Sequence, residues 1–213
     1  MNYMKRMAIR LIVPALTFII GMAAATLWFQ KPYKRFADDI YFPVGIFLPR
    51  EGGRNWLVRF YSGSLAAMQE PPISTLEGEE IEVYRLLYLP AFDPPVAIRL
   101  WRDGGQAYMS VKQLSAPGGA VNGEAVFPQA MKANATRPLK AEEWARFQGL
   151  LKNANFWTQP TEGGRQPGLD GANFLLEGYR QGQYHVMDRW SPEEDEILQL
   201  SGYLFEISGL EFP

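Results

Sequence analysis

The residues best suited to chemistry lie in one predicted β-hairpin near the carboxyl end of the chain. Its strands run from 172 to 179 and from 183 to 190, and residues 180–182 form the turn. A three-residue turn predicts that Glu177 faces His185, the only histidine of the chain, on one side of the sheet. A carboxylate beside an imidazole can act as a general acid–base pair. The hairpin therefore predicts Glu177 and His185 as candidate catalytic residues.

Three further polar side chains belong to this predicted site. Asp170 lies just before the first strand and is the third catalytic candidate. Asn173 and Arg189 share the predicted face and are candidate substrate-binding residues. A structural interpretation stays open for the same residues. The predicted pair would then be a cross-strand ion pair worth about 0.2–1 kcal/mol, and Asp170 would close a turn by bonding its own backbone.

Composition excludes several other kinds of site. The chain has no cysteine, which excludes disulfides, thiolate metal ligands and cysteine nucleophiles. With one histidine, a zinc site would need carboxylates alone, so no metal and no cofactor is predicted. No phosphate-binding loop, dinucleotide motif or serine nucleophile motif occurs. Residues after position 30 carry 18 basic and 23 acidic side chains, 18 − 23 = −5, which does not favour nucleic acid as a partner.

The membrane is the partner that the sequence predicts directly. Leu11 to Phe29 is a run of nineteen uncharged residues, long enough for one transmembrane helix. Three basic residues lie on each side of it, so the positive-inside rule favours neither orientation strongly. We expect a single-pass protein of the inner membrane with its carboxyl-terminal domain outside the cytoplasm. The alternative is a signal peptide cleaved after Ala25, because Ala23 to Ala25 form an A-x-A site.

The elements that must position the candidate site follow the anchor. Residues 1–30 are assigned to the anchor, 31–54 to a linker with one short packed piece at 40–48, and 55–213 to a single domain. Hydrophobic periodicity predicts helices near 55–70, 144–154 and 192–208, and strands near 81–89, 96–101, 106–114 and 125–133 before the hairpin. The expected fold is α+β, with an antiparallel sheet of about six strands covered on one face by three helices.

Four stretches carry a resemblance beyond these patterns: YSGSLAAMQEPPI (61–73), YRLLYLPAF with the proline that follows (84–94), EEWARFQGLLKNANFW (142–157) and GLDGANFLLEGYRQGQYHVMDRWSP (168–192). Together they resemble a family of uncharacterised bacterial proteins that has no established activity. The chain departs from the family at Asp93 and Pro94, where members often have histidines, and at Lys140, where members have a serine helix cap. The resemblance therefore implies no catalytic residue.

Three hypotheses of function follow from the sequence. The first is a membrane-tethered, envelope-facing interaction or binding domain whose partner is an envelope protein. The second is a membrane-tethered hydrolase that uses acid–base chemistry at Glu177 and His185. The third is an inhibitor-like protein that covers a partner's active site with the long loop at 158–171.

Overall fold

The computed structural model of the protein describes residues 41–47, 56–121, 124–164, 170–193 and 196–212. These residues belong to one unit that begins at Asp38. The predicted anchor at 11–29 lies outside the described residues. Within the described ranges, no helix has both the length and the apolar character that a membrane crossing requires.

The described residues of this unit form three α-helices and nine β-strands, in an order close to the predicted one. They are α1 (Trp56–Ala67), β1 (Glu82–Pro90), β2 (Val96–Asp103), β3 (Gln106–Leu114), β4 (Gly119–Val121), β5 (Glu124–Val126), β6 (Met131–Pro138), α2 (Ala141–Asn153), β7 (Glu162–Gly164), β8 (Ala172–Arg180), β9 (Gln183–Trp190) and α3 (Glu196–Ser208). A short 3₁₀ helix, Phe156–Thr158, follows α2.

Seven of the strands form one mixed sheet in the order β6-β3-β2-β1-β8-β9-β7. All neighbours are antiparallel except β7, which lies parallel to β9. The predicted α+β class is confirmed, and the six expected strands are antiparallel neighbours, but the sheet is mixed because β7 adds a seventh, parallel strand. The added strand, β7, comes from the segment predicted to be a long loop. The strand predicted at 125–133 is interrupted around Pro128, which has no N–H to donate to a sheet, and becomes β5 and β6.

Helices cover both faces of this sheet, so the prediction that all three lie on one face is wrong. One apolar cluster joins α2 and α3 to one face, which we call the α2–α3 face. A second cluster joins α1 to the opposite face, the α1 face. Leu86 and Leu87 are adjacent in β1, point to opposite faces and are both fully buried. A central strand that is apolar on both sides needs a cover on each side.

Residues 41–47, which we call the entry segment, also pack on the α1 face. The rings of Phe42 and Phe47 lie 6.2 and 5.9 Å from the ring of Tyr61 in α1. The hydroxyl of Tyr41 donates a hydrogen bond to the carbonyl of Glu70, 2.9 Å away. This part of the predicted linker region is therefore built into the core of the domain.

Candidate functional site

The predicted hairpin is present, but its register differs by one residue from the prediction. Its turn contains two residues, Gln181 and Gly182, with φ angles of 52° and 76°. Two consecutive positive φ angles are typical of a type I′ turn, whose twist matches the twist of the strands. Glu177 consequently lies opposite Val186, and His185 lies opposite Gly178. A one-residue change moves one partner to the other face of the sheet, so the predicted Glu177–His185 pair does not form.

Glu177 is fully buried on the α1 face. Its Oε2 accepts a hydrogen bond from Nε of Arg85 at 2.9 Å, and its Oε1 accepts one from the hydroxyl of Tyr184 at 2.9 Å. Burial raises the pKa of Glu177, although Arg85 and Tyr184 act to lower it. Both oxygens thus have partners inside the domain, and the carboxylate has no exposed surface for a substrate.

His185 lies on the α2–α3 face, inside an aromatic cluster. Its ring centroid is 4.9 Å from that of Phe156 and 6.4 Å from that of Trp157. Gly178 opposite leaves space for Phe156, since a Cβ at this position would lie 2.7 Å from the Phe156 ring. Burial, and secondly Arg189, lower the pKa of His185. The imidazole therefore packs against the rings of Phe156 and Trp157, in surroundings that favour its neutral form.

The two predicted binding residues have structural partners as well. Asn173 donates to Oδ1 of Asp188 at 3.3 Å, and the hydroxyl of Tyr61 donates to the other oxygen of Asp188 at 2.8 Å. Arg189 donates to the backbone carbonyls of Pro160 and Thr161 at 3.2 and 3.1 Å. These contacts hold α1 and the segment before β7 against β9.

Asp170, the third catalytic candidate, is exposed in the bend that precedes β8. Glu177 is buried on the α1 face and His185 packs on the α2–α3 face. Because the two catalytic partners expected for Asp170 are on different faces, the predicted three-residue acid–base site is not assembled.

A buried ion network, which sequence reasoning missed, occupies the α1 face. It contains Glu70, Arg85, Arg99, Lys112 and Glu177, together with the hydroxyl of Tyr184. Arg85 lies opposite Arg99 on one side and opposite Glu177 on the other. One signal was available in the sequence: a basic residue lies inside each of β1, β2 and β3, namely Arg85, Arg99 and Lys112. The carboxylate that these cations share comes from outside the sheet, and strand patterns could not identify it.

Glu70 is the residue that joins three strands in this network. Its Oε2 lies 2.9 Å from Nε of Arg99 and 3.5 Å from Nη1 of Arg85, and its Oε1 lies 3.0 Å from Nζ of Lys112. Burial alone would raise the pKa of Glu70, but the three cations, Arg99 first, lower it to about 2. Gln69, with a φ of 53°, ends the helical path of α1 and directs Glu70 toward the sheet.

The same network holds the irregular segment between α1 and β1 over the sheet. Nη1 of Arg85 donates to the carbonyl of Pro71 at 2.6 Å, and Nζ of Lys112 donates to the carbonyl of Gln69 at 2.9 Å. Pro71 lies in a buried, non-regular segment, where a backbone carbonyl needs such a donor, whereas Gln69 is exposed. The geometry therefore supports a structural interlock of three cations and two carboxylates rather than a site open to a ligand.

An accessible polar constellation lies on the α2–α3 face at the hairpin end of the sheet. Glu82 of β1 lies opposite Arg102 of β2 and opposite Arg180 of β8, so the three residues form a row across the sheet. The guanidinium of Arg102 lies 5.8 Å from the ring of Trp144, and that of Arg180 lies 5.2 Å from the ring of Trp157. We call these four residues, two arginines and two tryptophans, the arginine–tryptophan patch.

Glu82 at the centre of the row is held in place by two donors. Its Oε1 accepts hydrogen bonds from the hydroxyl of Tyr84 at 2.9 Å and from Nε2 of Gln148 at 3.2 Å. Gln148 belongs to α2, so this contact also positions the helix that carries Trp144. Arg102 is exposed and Arg180 is partly buried, which leaves both guanidiniums within reach of solvent.

No protein-family model, curated protein or solved structure that was compared with this chain matches it.

Proposed function

We propose that this protein is a membrane-tethered, envelope-facing interaction domain. One observation carries the proposal: the entry segment, which follows the predicted anchor by a short stretch of chain, is packed into the core of the folded domain. Phe42 and Phe47 are 2% and 5% exposed, so this segment is a structural part of the domain. In the sequence, residues 30–40 lie between the predicted anchor and the entry segment.

The length of that connection has a physical consequence. Eleven residues span at most about 36–40 Å when fully extended. A domain on so short a tether meets partners in the same membrane at a high effective concentration, so modest contacts suffice for binding. Tethering of this kind favours an interaction role in the envelope.

The observed contacts of Glu177 and His185 favour this proposal over an acid–base hydrolase. The hydrolase hypothesis required the two side chains to face each other in a site open to substrate. Glu177 is instead buried with Arg85 on one face of the sheet, and His185 packs against Phe156 on the other. The hypothesis therefore loses its geometric basis.

The proposal is tested with the full chain produced at native level and carrying a carboxyl-terminal tag. We expect a topology reporter at the carboxyl terminus to be active outside the cytoplasm, and chemical crosslinking before solubilisation to recover a partner at a stoichiometric level. The matched variant carries a flexible insert of about 40 residues between positions 30 and 40. It should recover less of the partner, because effective concentration falls as a tether lengthens.

Two results would contradict the proposal. One is a reporter that is active only in the cytoplasm. The other is the absence of any stoichiometric crosslinked protein in membranes that contain the folded full chain.

A further inference from the structure

We propose that the arginine–tryptophan patch binds a carboxylate-bearing segment of the partner protein. The inference rests on the proposed interaction function and names the surface and the partner's chemistry. The patch consists of Arg102, Trp144, Arg180 and Trp157, with Glu82 between the two arginines.

The orientation of the two guanidiniums suits a carboxylate ligand. An arginine that rests on an indole ring is held in one orientation, and its N–H groups point outward in the plane of the guanidinium. That plane presents parallel donors that match the two oxygens of a carboxylate. The patch provides two such groups on strands β2 and β8, two strand spacings or about 10 Å apart at the backbone.

The charges of Arg102 and Arg180 favour an anionic ligand. Across the described part of the chain, neither Arg102 nor Arg180 has a carboxylate oxygen within ion-pair distance. Arg146 makes a similar ring contact, with its guanidinium 4.4 Å from the Tyr203 ring, but Glu206 lies 3.6 Å from it. Arg102 and Arg180 therefore each lie near an aromatic ring, as Arg146 does, but retain donors for an external anion.

The negative charge of Glu82 offsets the repulsion between Arg102 and Arg180, although Glu82 forms no ion pair with either of them. Its carboxylate lies between the two strands that carry the arginines, and it is directed toward Tyr84 and Gln148 by their hydrogen bonds. Repulsion between the guanidiniums is reduced while their donors stay available. The arrangement suits a ligand that brings two separate carboxylates.

The surroundings of the patch favour a protein segment over an anionic lipid surface. Glu79 and Glu80 are exposed just before β1, near the same end of the sheet. A continuous anionic surface would approach these glutamates together with the arginines and be repelled, whereas a narrow acidic segment can contact the arginines alone. The entry segment, moreover, packs on the opposite face of the sheet. Partly exposed tryptophans beside arginines are also the composition typical of binding hot spots between proteins.

The experiment uses the full chain in neutral phosphatidylcholine nanodiscs and a fluorescein-labelled hexaglutamate peptide, with binding followed by anisotropy at low salt. Arg102→Gln and Arg180→Gln should each weaken binding about tenfold or more, since loss of a hydrogen bond to a charged group costs about 1.5–3 kcal/mol and 1.4 kcal/mol is tenfold. Arg146→Gln is the matched control and should leave the affinity unchanged. Near-UV circular dichroism checks that each variant keeps its packed tryptophans.

Three results would overturn the inference. They are the absence of hexaglutamate binding, equal affinities for the wild type and both patch variants, and an Arg146→Gln effect as large as theirs. A further arm of the experiment replaces the neutral lipid with phosphatidylglycerol vesicles. Vesicle binding that requires Arg102 and Arg180, without peptide binding, would assign the patch to lipid and refute the protein partner. A crosslinked partner that persists in both variants would refute this inference alone and leave the proposed function intact.

Discussion

Replacing Glu70 by glutamine removes the carboxylate that joins strands β1, β2 and β3 in the buried ion network. Arg99 and Lys112 would lose their ion pairs with Glu70, and Arg85 would keep its pair with Glu177, in a region where the side chains of Glu70 and Arg85 are 1% and 0% exposed. Loss of one member of a buried ion pair costs about 3–5 kcal/mol, because the remaining charges are left without compensation. We expect the free energy of unfolding to fall by that amount in Glu70→Gln.

The lowered pKa of Glu70 gives a second value for the free energy that its carboxylate contributes to folding. A pKa lowered from 4.5 to about 2 corresponds to a preference of about 3 kcal/mol for the ionised group in the folded state. Because the folded-state pKa is the lower one, this contribution is complete above pH 4.5 and is lost as the pH falls toward 2. The mutational cost and the pH dependence should therefore be of similar size.

The assay is urea unfolding of the full chain in a neutral detergent, followed by far-UV circular dichroism at pH 7 and at intervals down to pH 2. Glu79→Gln, an exposed neighbour, is the matched control and should change stability by less than about 0.5 kcal/mol. The difference in stability between wild type and Glu70→Gln should shrink below pH 4.5. A Glu70→Gln protein within about 1 kcal/mol of the control at pH 7, with wild-type acid sensitivity, would refute the interlock.

The remaining predictions concern the α2–α3 face. Gly178→Ala should reduce the free energy of unfolding by about 1–3 kcal/mol, because its Cβ would overlap the Phe156 ring. In α2, the Cβ of Gly149→Ala meets no atom within 4 Å, so this change should raise the free energy of unfolding by up to about 1 kcal/mol. The midpoints of urea unfolding measure both changes. Burial, followed by Arg189, lowers the pKa of His185, so the unfolded chain takes up a proton at higher pH than the folded one. Stability should therefore fall as the pH drops below about 6.5, and His185→Gln should remove this part of a pH titration of the melting temperature.

Much of the secondary structure was predictable because it depends on local patterns. The apolar period of 3.6 residues at Phe147 and Leu151 identified α2, and the β-branched and aromatic runs identified β1, β2 and β3. The turn at Asp103 to Gln106 and the helix end at Gly209, with a φ of 75°, also followed from residue type. β7 escaped prediction because its three residues form a strand only through pairing with β9.

The candidate site was much less predictable, because it depends on register and on contacts between distant residues. The hairpin was correctly located, but a two-residue turn in place of a three-residue turn put His185 and Glu177 on opposite faces. The partner of Glu177 is Arg85, 92 residues away in sequence, and the partner of Arg99 is Glu70, 29 residues away. No local period connects such positions.

The sequence by itself determined the positions of the main helices and strands and the α+β class, since hydrophobic period and turn residues act within a few positions of the chain. Only the tertiary structure decided which face of the sheet each charged side chain occupies. That choice depends on the register and on the burial of both faces, which requires α1 on one side and α2 and α3 on the other. Because Glu177 is buried, it must pair with a cation, and that cation is Arg85. Arg102 and Arg180 lie instead at the accessible end of the sheet, beside Trp144 and Trp157.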